Sequence, residues 1–185
     1  MMTKFKANIV PLNAEKIGHK AHGTATFEID DNQLTINIEM HDTPANIQHW
    51  EHFHGFPDGH QAEIATMDQD QNGDGFVDLP ETEPVSGTTM VPFNDEPAKM
   101  DIPNDEYPVS DANGDFSYTR VVPLDQLEEN FKKAFSDSNL ELDKRVVYIH
   151  GIPTDVNLPG SVAGEVGPYD AHVTLPIAVG KIEKA

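Results

Sequence analysis

Between Thr24 and Met40 the chain alternates apolar and polar residues on both sides of a turn-forming cluster. Ala25, Phe27 and Ile29 interleave with Thr24, Thr26 and Glu28, and Leu34, Ile36, Ile38 and Met40 interleave with Thr35, Asn37 and Glu39. A period of two puts one set on a buried face and the other on a solvated face, the pattern of half-buried antiparallel strands. The cluster Asp30-Asp31-Asn32-Gln33 has the residue types of a hairpin turn. With a further strand-like run from Phe5 to Val10, the first third of the chain predicts a β-meander.

Ser117 to Val122 and Val146 to Ile149 repeat the strand pattern. Val173 to Ile182 predicts a final strand in which Pro176 requires an edge position or a bulge. One amphipathic helix is expected within Pro123 to Phe135, where Leu124, Leu127, Phe131 and Phe135 fall on one face and acids precede lysines, as the helix dipole favours. From Gly55 to Ser110 the prolines 57, 80, 84, 92, 97, 103 and 108 argue against long helices and central strands. A structureless stretch of that length in a compact domain calls for an ordering agent, and a bound cation would serve. The expectation is a mainly β chain, a single domain over 1–185 with an acidic insertion at 56–108.

The chain carries 32 Asp and Glu against 12 Lys and Arg, a formal charge of −20. Such a field argues against nucleic acid or an anionic membrane as partner and makes cations the natural ones. A small anionic substrate would need a local positive spot, such as a bound metal dication. There are no cysteines, so disulfides, thiolate metal sites and cysteine nucleophiles are excluded, and histidine and carboxylate must do any metal work. No stretch has the length of a membrane span, and Met1 to Asn8 lacks the apolar run of a secretory signal. A cytoplasmic protein, or one from which a signal has been removed, is expected.

The run His49-Trp50-Glu51-His52-Phe53-His54 concentrates three histidines in six residues. In an extended segment His52 and His54 point the same way, and His150, ending Arg145-Val146-Val147-Tyr148-Ile149-His150, is placed to join them from another strand. Imidazole suits borderline metals, with copper or zinc leading. One histidine beside Trp50 and Phe53 would more often be a hydrogen-bonded core residue; three in six residues weigh toward a metal.

A second motif uses oxygen. Asp70-Gln71-Asn72-Gly73-Asp74-Gly75-Phe76-Val77-Asp78-Leu79-Pro80-Glu81 places ligand types and a glycine at the positions of an EF-hand loop. Asp70, Asn72 and Asp74 would supply side chains, Phe76 its carbonyl, Asp78 a direct or water-bridged contact and Glu81 two oxygens around calcium. An acidic, solvated turn is the plainer alternative. Pro80 and Pro84 are expected to prevent a regular exiting helix, which suits a solitary structural loop. Asp111-Ala112-Asn113-Gly114-Asp115 begins in the same way but runs into a strand, and is expected to be a hairpin turn.

The order of these features resembles the copper/zinc superoxide dismutase family. The matching pieces are Gly23-Thr24-Ala25-Thr26-Phe27, the histidine run 49–54, the segment 145–150 followed by Pro153-Thr154-Asp155-Val156, and Leu175 to Ile182. The resemblance implies a Greek-key β-sandwich or barrel of immunoglobulin-like topology, with His52, His54 and His150 as copper ligands and His49 as a framework histidine. For the remaining ligand it leaves His60 and His172 open. No histidine lies between His60 and His150, so the zinc subsite is missing. Thr174 stands where the family has its substrate-guiding arginine, and the calcium-type loop occupies the region that zinc and a disulfide would organise. The implied function is copper-dependent dismutation of superoxide to oxygen and hydrogen peroxide. The alternative is a non-catalytic module that binds copper or zinc together with calcium. A periplasmic or extracellular location and a homodimer accord with the resemblance.

Overall fold

The computed structural model describes residues 2–185. In chain order the elements are β1 (Met2–Pro11), α1 (Ala14–Ile17), β2 (His22–Asp30), β3 (Gln33–His41), β4 (Glu51–Gly55), α2 (Leu79–Ser86), β5 (Thr88–Pro92), β6 (Phe116–Pro123), α3 (Leu124–Ala134), β7 (Val146–His150), α4 (Ala171–Thr174) and β8 (Pro176–Lys184). The eight strands form one antiparallel sheet, ordered β5-β4-β7-β8-β1-β2-β3-β6, that curls into a half-barrel. The chain is mainly β, of the sandwich or barrel class. β6 follows β5 in sequence but lies at the opposite edge beside β3, a crossover of the Greek-key kind.

The alternation between Thr24 and Met40 becomes the β2–β3 hairpin, with Phe27 opposite Ile36 and Asp30 opposite Gln33. Its apolar face is buried together with Phe5, Ala7 and Ile9 of β1. Phe93, just after β5, bridges the two halves of the curl, its ring 5.8 Å from Phe27 and 6.2 Å from Phe53. α3 lays Leu127 and Phe131 on this core. Its free N-terminal amides are capped from the hairpin turn, where Asn32 accepts from Leu124 N and Asp125 N through its carbonyl and side chain, both at 2.9 Å.

Several expectations need correction. Of the two settings expected for Pro176 the structure takes the bulge and not the edge, since β8 pairs with both β7 and β1. Pro176 is tolerated because it is the first residue of the strand and sits against a bulge between Ile149 and His150. Residues 171–174 form the helical turn α4, so the last strand begins at Pro176 and not at Val173. A helix does leave the acidic loop: Pro80 occupies its first turn, where a missing N–H costs nothing, and Asp78 and Glu81 form a capping box. Pro84 lies inside α2 but removes only one amide donor from an eight-residue helix. Residues 111–115 close a turn, with Gly114 N bonded to Asp111 O at 3.0 Å, that feeds into β6. The segment after Gly55 is ordered by its own packing as well, since Ala62, Ala65 and Val77 are buried against Val146, Tyr148 and Val179 on the outer face of the sheet.

Two buried charged residues stand out. Arg145 is fully buried with no carboxylate in salt-bridge contact among the described residues, and donates to the carbonyls of Leu140, Phe56 and Asn139, each at 2.9 Å. Glu51 points into the core side of β4, and neither of its enclosed oxygens has a hydrogen-bond partner among the described residues. Burial pushes its carboxyl well above the usual range, so the folded protein favours the protonated acid. A raised folded pKa gives full stability below the unfolded value, about 4.3, and a progressive loss as pH rises toward the folded value. Glu51→Gln has nothing to titrate. In urea unfolding it is expected to lose less stability than the parent between about pH 5 and 8 and to exceed it at pH 8 by about 1 kcal/mol or more; equal pH slopes would contradict this account.

Candidate metal centre

β4 is buried along its whole length, between β5 and β7. Its period of two sends Glu51 and Phe53 to the main core and Trp50, His52 and His54 to the outer face of the sheet, where the acidic segment covers them. Register with β7 sets His52 opposite Tyr148 and His54 opposite Val146. His150 arrives on the same outer face at the end of β7, where the bulge against Pro176 sits. The three ring centroids are 5.9, 5.2 and 5.7 Å apart for the pairs 52–54, 52–150 and 54–150. One nitrogen from each ring lies within 4.8 Å of the others.

The hydrogen-bond pattern is that of a ligand set. His52 Nδ1, His54 Nδ1 and His150 Nε2 are shut off from solvent and have no partner among the described residues. The opposite nitrogens are engaged. His150 Nδ1 donates to Thr174 O at 2.8 Å. His52 Nε2 lies 2.9 Å from Tyr107 Oη, which itself donates to Ile102 O at 2.6 Å and therefore receives the His52 proton. His54 Nε2 faces Thr89 Oγ1 at 3.5 Å. Holding the proton on one nitrogen leaves the lone pair of the other free for a metal, as outer hydrogen bonds do in metal sites. Burying three unsatisfied imidazole nitrogens together is costly unless something binds them. The donor set fits copper or another borderline metal.

The protonation states agree. Burial, reinforced by the neighbouring rings, holds His52 and His54 well below the usual imidazole range, and burial brings His150 down to about 4. All three are neutral near pH 7 and need lose no proton before binding a metal. Beside His52 and His150 lies a cavity of about 20 Å³, roofed by Leu79, Ile102 and Val166. It is large enough for one water-sized ligand.

The other expected residues fall into place unevenly. His49 lies on the opposite face of the segment, stacked on Phe116 and held between the carbonyls of His150 and Pro44 at 3.0 and 2.9 Å. His60 does not join the cluster: the chain turns away after β4, and this ring is exposed, stacked on Phe56 and paired with Asp58. His172 does not join it either, because its ring is bound to Val156 O at 2.7 Å and to Asp170 at 3.3 Å. Tyr107 and Leu79 carry no mark as site residues in the sequence, and Thr174 stands out there only through the guiding-arginine position of the resemblance. Each comes from a different loop or helix end.

In the acidic loop, carboxylate oxygens of Asp70, Asp74 and Glu81 lie within 4.8 Å of one another. Gly75, at φ +92°, makes the sharp turn between them. Asn72 lies in the same loop, with Oδ1 accepting from Asp74 N at 3.1 Å. The ring of Phe76 is buried in the core, so Phe76 serves the loop through its backbone alone. Asp78 is otherwise employed: it caps α2 through Glu81 N and latches Ala163 N at 2.8 Å. Each of its oxygens accepts one backbone proton, and its carboxylate is not part of the Asp70, Asp74 and Glu81 group.

The chain matches no protein-family model and no curated protein.

Depressed histidine pKa values set an acid limit. Folding favours the neutral rings, so their contribution is present above the unfolded value near 6.5 and is lost as pH falls through the folded value, about 4 for His150. The metal-free protein is therefore expected to lose stability from about pH 6.5 downward, and His150→Gln to flatten that loss in acid titrations followed by circular dichroism. An unchanged acid profile in the variant would count against a buried neutral His150.

Proposed function

We propose that this is a copper-binding protein on a superoxide dismutase-like β scaffold, holding one copper ion at His52, His54 and His150. The observation that carries this reading is the convergence of three buried imidazoles, each with one enclosed nitrogen lacking a partner among the described residues and two with the opposite nitrogen firmly hydrogen-bonded. A zinc subsite is not part of the proposal, since no further histidine accompanies the three. The second cation is calcium, held at Asp70, Asp74 and Glu81 with Asn72 and the Phe76 carbonyl completing an oxygen cage. Calcium is abundant outside the cytoplasm, which favours a periplasmic or extracellular setting.

Retention of copper is the first reading because the ligands are enclosed, with exposures of 2, 0 and 2% for His52, His54 and His150. Dismutation of superoxide is the second, favoured by the small cavity that touches two of the ligands. Bound copper would supply a one-electron couple, by which one superoxide is oxidised to dioxygen and a second, with two protons, is reduced to hydrogen peroxide. The chain's own part is to fix the imidazoles, exclude larger ligands and keep the site dry. Thr174 at the guiding-arginine position and a charge of −20 both disfavour rapid capture of an anion.

Metal analysis after copper loading is expected to give one copper per chain. His54→Ala should weaken binding by at least about 100-fold, as loss of one of three ligands would. Copper binding that survives in His54→Ala would overturn the assignment. Superoxide removal by the loaded protein, absent from the variant, would favour the second reading over the first.

A further inference from the structure

The acidic loop and the histidine centre share one roof. Leu79 is the first residue of α2, fixed by the loop before it, and it lines the cavity beside His52 and His150. Asp78 caps α2 with one carboxylate oxygen and with the other accepts from Ala163 N at 2.8 Å. Ser161 Oγ donates to Asp74 Oδ2 at 2.8 Å, a second tie between the loop and the 161–164 segment. Gly164 O then accepts from Thr174 Oγ1 at 2.8 Å, and Thr174 O accepts from His150 Nδ1 at 2.8 Å. Loop carboxylates are thus connected, bond by bond, to the ring of a metal ligand.

This junction has little slack. Gly164 is at φ +123°, and a Cβ added there would stand 2.6 Å from Thr174 Oγ1 and 3.3 Å from Leu79 Cβ. The 161–164 segment thus passes close against Thr174 and Leu79, and a shift toward them would press on both. At the far end, Asp70, Asp74 and Glu81 converge with no ion pair to neutralise them among the described residues. Asp70 Oδ1 is closed to solvent and has no donor among those residues. A cation there would replace mutual repulsion with attraction and tighten the carboxylates that hold the segment.

We propose that cation binding in the acidic loop and metal binding at the histidine centre are coupled through Asp78, Ala163, Gly164 and Thr174, so that calcium in the loop slows the release of copper. The proposal rests on the two-metal reading above. Thr174 is a positioning residue: it acts on the metal only through His150.

The test uses the whole protein. Calcium binding is measured directly by calorimetry, and copper release to a copper-selective chelator is followed with and without calcium. Calcium is expected to slow release about tenfold and to lower the copper Kd at equilibrium with the chelator, and copper is expected to tighten calcium binding by the same factor as that Kd changes, because coupling between two binding equilibria is reciprocal. Thr174→Val keeps the shape and the carbonyl but deletes the Oγ–H; it should bind both ions and lose most of the coupling. Ser161→Ala, at an exposed position, should weaken the coupling by cutting the tie to Asp74, and serves if the valine variant does not fold. A shift in the copper electron paramagnetic resonance spectrum on adding calcium should appear in the parent and shrink in these variants. Stoichiometric calcium binding with unchanged copper release would overturn the coupling while leaving both sites standing. Absence of calcium binding would overturn the loop site and the coupling together, and absence of copper binding would overturn the histidine site.

Discussion

Burial of β4 on both faces is the constraint on which the rest of the molecule depends. A strand at the surface of a half-barrel would normally keep one face solvated, but β4 and β7 are buried throughout and β8 for most of its length. Every polar side chain on β4 must therefore be bonded, neutralised or bound to something. Glu51 meets the demand on the core side by holding its proton, while His52 and His54 meet it on the outer side by staying neutral and sharing a site with His150.

That outer burial exists because the chain after β4 folds back across the sheet. Ala62, Ala65 and Val77 pack on Val146, Tyr148 and Val179, while Tyr148 Oη meets Ser86 Oγ at 2.6 Å. Asn13 fastens the cover to the barrel: its amide donates to Val77 O at 2.9 Å and to Pro176 O at 2.8 Å, and its oxygen accepts from Val77 N at 2.8 Å. The segment that carries the acidic loop is thus also the lid of the histidine centre. Two chemically different clusters thus meet at one covering element, which carries the charged oxygens itself and lies over the neutral nitrogens of β4 and β7.

Electrostatics separates the two clusters cleanly. The histidines lie in a dry pocket where charge is penalised, and burial alone accounts for most of their lowered basicity. The carboxylates lie in a half-exposed loop whose amides already accept part of the task, with Gly75 N bonded to Asp70 at 2.9 Å and Phe76 N to Asp74 at 2.9 Å. Nitrogen ligands without charge suit a borderline metal, and oxygen ligands with charge suit a hard one.

The sequence by itself determined the elements whose signal is local. Alternation placed β2 and β3, the spacing of Leu127 and Phe131 placed α3, and the pairing of His52 with His54 followed from the period of a strand. It also placed His150 at a strand end, though not how the bulge opposite Pro176 orients it. Only the tertiary structure decided which residues meet across the fold. His60 and His172 look equal to the other histidines in the sequence, yet the first leaves with the turn after β4 and the second is held in α4. Asp78 reads in the sequence only as a calcium-loop residue, and the fold adds its role as the cap of α2. The hydrogen-bonding roles of Tyr107, Thr174 and Gly164 carry no local signal, because they come from bonds to His52, to His150 and to one another, and such bonds are fixed by packing between distant segments and not by any spacing along the chain.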